Sequence, residues 1–212
     1  MATEIEQHSE TDFTVLFNDT DYIKTTLTSS GDEVDSWISD ILRIHRRRLS
    51  RLIVGIDLEW RPSYSRYQNP IALLQICVGR RCLIFKLLFA DYIPASLGEF
   101  LADLRFTFVG VGVQADADRL ENERGLYVSN AVDLRDLANE MMERNDMKRK
   151  GLAGLAREVM GVFLNKPKYV TMSRWDQFYL SMEQIMYACV DAFVSFEIGR
   201  RLNDVSTRPA QI

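Results

Sequence analysis

The stretch Leu52-Ile53-Val54-Gly55-Ile56-Asp57-Leu58-Glu59 is an apolar run that closes on two carboxylates. Its length and β-branched content predict a buried strand over 52–58. Alternate side chains of a strand share a face, so Asp57 and Glu59 project to the same side, with the small Gly55 beside them. Two like charges at the rim of a core are costly unless something positive lies between them. A divalent metal meets that need.

Two later segments carry the acids such a site requires. Phe108-Val109-Gly110-Val111-Gly112-Val113-Gln114-Ala115-Asp116 reads as a second apolar strand running into a helix start that bears an acid. Tyr187-Ala188-Cys189-Val190-Asp191 sets a phenol and a carboxylate at i and i+4, one above the other on a helical face. Oxygen donors without a competing Cys/His cluster favour Mg²⁺ or Mn²⁺ over zinc. Asp118 stands two beyond Asp116 and, at ~100° per helical residue, points roughly 200° away; it is expected in solvent. The two histidines, His8 and His45, look structural, with His45 expected as a cation at a helix end.

The order Asp-x-Glu, Asp, Tyr-x-x-x-Asp resembles the signature of the DEDD (DnaQ-like) 3′-5′ exonucleases in their tyrosine-bearing branch. The surrounding text, Asp57-Leu58-Glu59-Trp60-Arg61-Pro62, Ala72-Leu73-Leu74-Gln75-Ile76-Cys77, Val109-Gly110-Val111-Gly112 and Tyr187-Ala188-x-x-Asp191-Ala192, is similar to the Werner-syndrome exonuclease domain and its compact plant relatives of the RISC-interacting clearing exoribonuclease type. The likeness runs over about 52–202. It implies an α/β, ribonuclease H-like exonuclease fold, a mixed central β-sheet flanked by helices on both faces, with the final helix bringing Asp191 over the first pair of acids. It also implies two-metal hydrolysis of a terminal phosphodiester with release of nucleoside 5′-monophosphates. On that pattern two Mg²⁺ or Mn²⁺ ions are held by Asp57, Glu59, Asp116 and Asp191. Asp57 bridges them, Asp116 acts through water, and Tyr187 orients the attacking water.

Around that pattern the chain predicts strands over 13–17 and 22–27 in an N-terminal arm (1–30), then a helix opened by the capping box Ser30-Gly31-Asp32-Glu33. The exonuclease domain (31–205) continues with strands over 71–78 and 82–85 joined at Gly79-Arg80, a helix over 97–104 and strands over 106–113 and 128–132. Helices over 134–142 and 152–160 come next. Ser181-Met182-Glu183-Gln184 reads as a second capping box, opening the helix of Tyr187 and Asp191. A disordered tail is expected over 206–212, and the N-terminal end also reads as disordered.

Composition suits one enzyme domain: 212 residues, 47% of them hydrophobic, can bury a sizeable core. No apolar run has membrane-span length and the polar start does not read as a signal peptide, so a cytoplasmic setting, with the nucleus as a second one, is expected. Cys77, Cys82 and Cys189 lie in apolar segments and are expected as buried thiols.

A net charge of −4 argues against long duplex binding and for a short single-stranded substrate. Trp60, Tyr64 and Tyr67 are candidates to stack on bases, Trp60 equally a packing residue, and Lys166, Lys168 and Trp175 precede the last helix where relatives approach substrate. RNA is favoured over DNA by the likeness to the clearing exoribonucleases. A DNA-directed Werner-type exonuclease and a non-catalytic nucleic-acid-binding scaffold of the same fold stand as alternatives. The same likeness implies a homo-oligomer, with a hexameric ring as the pattern, and partners among Argonaute-type RNA-silencing proteins.

Overall fold

The computed structural model describes residues 3–206. In chain order its elements are β1 (Thr3–Gln7), β2 (Asp12–Phe17), β3 (Asp21–Thr28), α1 (Gly31–His45), β4 (Leu52–Glu59), β5 (Leu73–Val78), β6 (Arg81–Phe85) and α2 (Ala95–Ala102). There follow β7 (Phe106–Gly110), α3 (Val113–Arg124), β8 (Ala131–Asp133), α4 (Leu134–Met142), α5 (Leu152–Leu155), α6 (Lys168–Thr171) and α7 (Met182–Ser206). Of the arm and tail expected at the ends, residues 1, 2 and 207–212 lie outside the described residues.

All eight strands form one sheet in the order β1-β2-β3-β6-β5-β4-β7-β8. It is mixed: β4 runs antiparallel to β5 but parallel to β7, and β3 runs parallel to β6. The arm's hairpin strands continue the central sheet through β3. Strand alternation sorts the core into two layers. Leu27, Leu73, Cys77, Cys82 and Ile84 face α7, while Val54, Ile56, Leu58, Leu74 and Ile76 face α1, α2 and α3. Helices thus cover both faces. Among the described residues no helix is long and apolar enough to cross a membrane.

Several local expectations shift. β1, with the single apolar Ile5 in a polar run, is a strand where disorder was expected; as an edge strand it needs only one paired side. The helix expected over 97–104 starts two residues early, at Ala95. The segment over 152–160 is one α-turn that widens into a π-helical turn over Ala156–Met160. Ser30 is an N-cap without a side-chain cap: its own N–H, which Glu33 would take in a capping box, donates to Thr28 Oγ1 at 2.8 Å, and Asp91, brought from the loop before α2, takes the Gly31 N–H at 2.8 Å. His45 does close α1, yet burial, with Arg48 and Arg81 adding, pushes its pKa down and away from a cationic role. The second capping box forms as expected: the Ser181 N–H donates to Gln184 Oε1 at 3.0 Å and the Gln184 N–H to Ser181 Oγ at 3.2 Å.

α7 lies very close to β4. A Cβ added at Gly55 would fall on the Ala192 carbonyl oxygen and within 2.6 Å of the Phe196 nitrogen, and one at Gly199 within 2.9 Å of Val109 Cγ2. Backbone atoms cannot step aside as flexible side chains do. Overpacking a core costs typically 1–3 kcal/mol, so Gly55→Ala is expected to cost at least about 3 kcal/mol in urea unfolding. A variant as stable as the wild type would show that the helix seats elsewhere.

Candidate active site

Asp57 and Glu59 leave the C-terminal end of β4 on the α7 side, as strand alternation requires. The close seat at Gly55 sets α7 across that end, and Asp191, one residue before Ala192, comes down over them. Carboxylate oxygens of Asp57, Glu59 and Asp191 all lie within 4.8 Å of one another. Asp191 is almost fully buried; Asp57 and Glu59 keep part of their surface open.

The electrostatics of this group are those of a site short of positive charge. Burial, then Asp191 and Asp116, holds the Asp57 carboxyl well above the usual range. Burial, then Asp57 and Asp191, does the same to Glu59. The pKa of Asp191 is raised by burial but opposed by Lys166, whose Nζ lies 2.6 Å from Asp191 Oδ2. An ammonium therefore sits where the acids call for a cation. Three clustered oxygen donors, repelling one another and partly answered by a cation, are a donor set that fits Mg²⁺ or Mn²⁺.

Tyr187, one turn before Asp191, presents its hydroxyl toward that carboxylate. Burial, Asp191 and Glu59 all push the phenol further up from its ordinary value, so it keeps its proton. Its ring has the Lys166 ammonium 5.1 Å from its centroid and Trp175 at 5.9 Å on a tilted plane.

Asp116 stands apart from the tight trio, in the first turn of α3. It is near enough to repel Asp57 and Glu59. Gly112, in the left-handed region at φ 76°, turns the chain from β7 into that helix, and its N–H donates to Asp133 Oδ2 at 2.8 Å. Asp133 also accepts from the Arg135 backbone and guanidinium, which outweighs burial and lowers its pKa. These two residues, given no role from sequence, brace the turn that places Asp116. Asp118 points to solvent and accepts from Gln114 at 2.9 Å.

The expected substrate contacts divide. Tyr64 and Tyr67 stand out from the loop after β4, 98% and 67% exposed, with Arg66 4.7 Å from the Tyr67 centroid. Trp60 is half-buried with the Arg119 guanidinium 4.4 Å from its ring centroid, which occupies that face and ties the loop to α3. Lys166 lies in the site, whereas Lys168 is exposed at the start of α6. Trp175 is a correction: it is 0% exposed, donates from Nε1 to the Thr171 carbonyl and packs against Tyr187, so no base can reach it. Its polar sequence neighbours hid a core residue. Beside Tyr187, Lys166 and Asp191 opens a cavity of about 690 Å³, walled by Phe163, Tyr169, Met186 and Val190.

A family model described as 3′-5′ exonuclease matches residues 28–206. The chain belongs to the 3′-5′ exonuclease family. It is 30% identical over 183 residues to an Arabidopsis thaliana 3′-5′ exonuclease, covering 84% of this chain and 63% of that protein. It is also 30% identical over 155 residues to the Mus musculus bifunctional 3′-5′ exonuclease/ATP-dependent helicase WRN, covering 72% of this chain but 11% of the relative. The chain thus spans less than two thirds of the length of either. The Aedes aegypti Nibbler EXO domain superposes with a TM-score of 0.69 at 21% identity, over 86% of this chain and 88% of that one. The mixed sheet with helices on both faces is accordingly the ribonuclease H-like exonuclease fold.

The raised carboxyls make stability depend on pH. Asp116 is pushed up to about 7 from 3.8, by burial first, with Arg119 opposing and Asp133 adding. The folded state then holds the proton more tightly than the unfolded state. Stability from this group is complete below the unfolded value of 3.8 and is lost as pH rises through about 7. In the absence of divalent metal, melting curves of wild type and Asp116→Asn should agree near pH 4. The wild type should fall progressively below the variant by pH 7, losing roughly 1.4 kcal/mol for each pH unit between the two values. Parallel curves would show that Asp116 is not held in this environment.

Proposed function

We propose that this domain is a divalent-metal-dependent exonuclease that removes nucleotides from the 3′ end of single-stranded nucleic acid, RNA by preference, releasing nucleoside 5′-monophosphates. The observation that carries the reading is the trio Asp57, Glu59 and Asp191, within 4.8 Å of one another and capped by a phenol that keeps its proton. Asp57, Glu59 and Asp191 are the residues to hold metal directly, with Asp116 as an outer contributor. Metal bound there supplies Lewis acidity at the scissile phosphate and a water acidified toward neutrality.

The chain's own groups do the rest. Tyr187 cannot act as a base while it holds its proton, so its part is to donate a hydrogen bond that orients the attacking water. Water attacks the terminal phosphorus, the bond to the 3′ oxygen of the preceding nucleotide breaks, and that oxygen leaves as the new 3′ hydroxyl. Lys166 holds Asp191 here; once that carboxylate is otherwise engaged, its ammonium is the site's own cation for a substrate phosphate. Tyr64 and Tyr67 offer stacking faces beside the exit of β4, in keeping with a strand whose bases are unpaired.

Single-strandedness is supported by charge. The protein is net −4, and many of its arginines, including Arg61, Arg80, Arg119, Arg135, Arg144 and Arg200, are tied up in ion pairs rather than aligned for a duplex backbone. The choice of RNA follows the likeness to the clearing exoribonucleases. The alternative, a DNA-directed reading, follows the likeness to the Werner-type exonuclease domain. Side-by-side digestion of 5′-labelled single-stranded RNA, single-stranded DNA and recessed duplex DNA, with Mg²⁺ and with chelator, decides between them. The expected result is stepwise shortening of RNA from the 3′ end that stops on chelation; no shortening of any substrate would defeat the enzyme reading.

Two substitutions test the roles. Asp57→Ala should abolish hydrolysis in a protein that still folds, since it also relieves carboxylate repulsion. Tyr187→Phe should lower kcat by ~10²–10⁴-fold with metal and strand binding little changed, because the lost hydrogen bond belongs to the attacking state. Asp118→Ala in parallel should leave kcat as it was, and the reverse ranking of Tyr187→Phe and Asp118→Ala would overturn the assignment.

A further inference from the structure

Gln75 lies in β5, a strand whose six residues are all buried, and it has no exposed surface of its own. Neither its Oε1 nor its Nε2 finds a hydrogen-bond partner among the described residues. An amide left in that state is costly, and its neighbours on the same face of the strand, Leu73 and Cys77, belong to the apolar layer under α7. Packing alone would place an apolar side chain here.

The ladder explains what the amide is near. Gln75 is the residue directly opposite Asp57 on β4. Such pairs project to the same side with Cβ atoms ~4.5–5.5 Å apart, so the two side chains start as neighbours on the face that α7 covers. The amide of Gln75 is the one polar group of this face left without a partner among the described residues of β5. The group has the right chemistry for the position. Glu59, Asp116 and Asp191 already press negative charge on Asp57. Another acid would add repulsion, and a lysine would compete for the carboxylate as Lys166 does at Asp191. A neutral donor does neither.

We propose that Gln75 is a positioning residue for Asp57: its Nε2 donates to the Asp57 carboxylate when that group engages a divalent cation, and so fixes the direction in which the remaining oxygen lone pairs point. The inference rests on Asp57 being a metal ligand. Metal-binding carboxylates are themselves held by hydrogen bonds, and loss of such a support typically costs 10–100-fold in metal affinity or activity.

Mn²⁺ titration by calorimetry and melting curves with and without Mn²⁺, on the full chain, test this. Gln75→Leu should melt no lower than the wild type without metal, because the orphaned amide is gone. It should bind Mn²⁺ about 10–100-fold more weakly, show a smaller Mn²⁺-induced rise in melting temperature, and regain turnover at high Mn²⁺. A residue that merely fills space would not move the Mn²⁺ midpoint. Gln75→Met, closer in length, carries the same expectation if the leucine variant does not fold. Wild-type Mn²⁺ affinity in either folded variant overturns the proposal. Asp57→Ala, measured alongside, separates the two levels: if it binds Mn²⁺ like the wild type, the assignment of the site itself fails, whatever Gln75 does.

Discussion

The near-contact of two backbones, β4 at Gly55 and α7 at Ala192 and Phe196, is the constraint on which the rest of the molecule depends. A helix packed on a sheet through ordinary side chains stands about 10 Å away, comparable to stacked sheets. Here one missing Cβ lets the helix backbone reach the strand. Asp191 is the residue immediately before this contact, and Asp57 lies two along the strand from it, on the same side. The trio of acids therefore owes its spacing to glycine rather than to any attraction between its members, which repel one another.

That repulsion has to be carried by the fold. Asp57, Glu59 and Asp191 are all pushed up by burial, and the packing energy of α7 holds them together regardless. Lys166 answers part of the deficit, from a segment that precedes α7 and folds back along it. An ammonium is a point charge on a flexible stem, so it relieves the acids without locking them. A site made in this way is less stable than a plain core would be and correspondingly ready for a divalent cation, which is the usual exchange between stability and function at such centres.

What could be read in the sequence was what local pattern determines. Asp57 and Glu59 announce themselves because the strand's period forces them to one face, and Ser181 and Gln184 form their reciprocal cap because both partners lie within one turn. Ser30 and Glu33 have the same spacing and make no such cap, since the Ser30 N–H donates to Thr28 at the end of β3 instead. Trp175 is flanked by Arg174 and Asp176 yet is fully buried, because Thr171 and Tyr187 close over it. Asp133 and Lys166 act through partners 21 and 25 positions away, on other elements. Gln75 did carry a signal, a lone amide in an apolar strand, but its meaning needed the register with Asp57.

The strands that precede the family match explain how so long a helix can be held. α7 has 25 residues, about 37 Å at 1.5 Å per residue, and an eight-stranded sheet spans roughly 34 Å across its seven gaps of ~4.8 Å. The helix crosses nearly the whole sheet, and its two halves sit on different parts of it. Gly199 packs on Val109 of β7, whereas Cys189 meets Thr25 of β3 at 3.1 Å and Phe193 meets the Phe17 ring of β2 edge-on at 5.6 Å. Those last contacts bracket Asp191 on its own helix. Of the strands, β1 and β2 lie wholly before residue 28, where the family match begins, and β3 ends there. So the part of the chain that precedes the family match supplies the seat for the half of α7 that carries Tyr187 and Asp191, and the geometry of the acids depends on β2 and β3 as well as on the glycine.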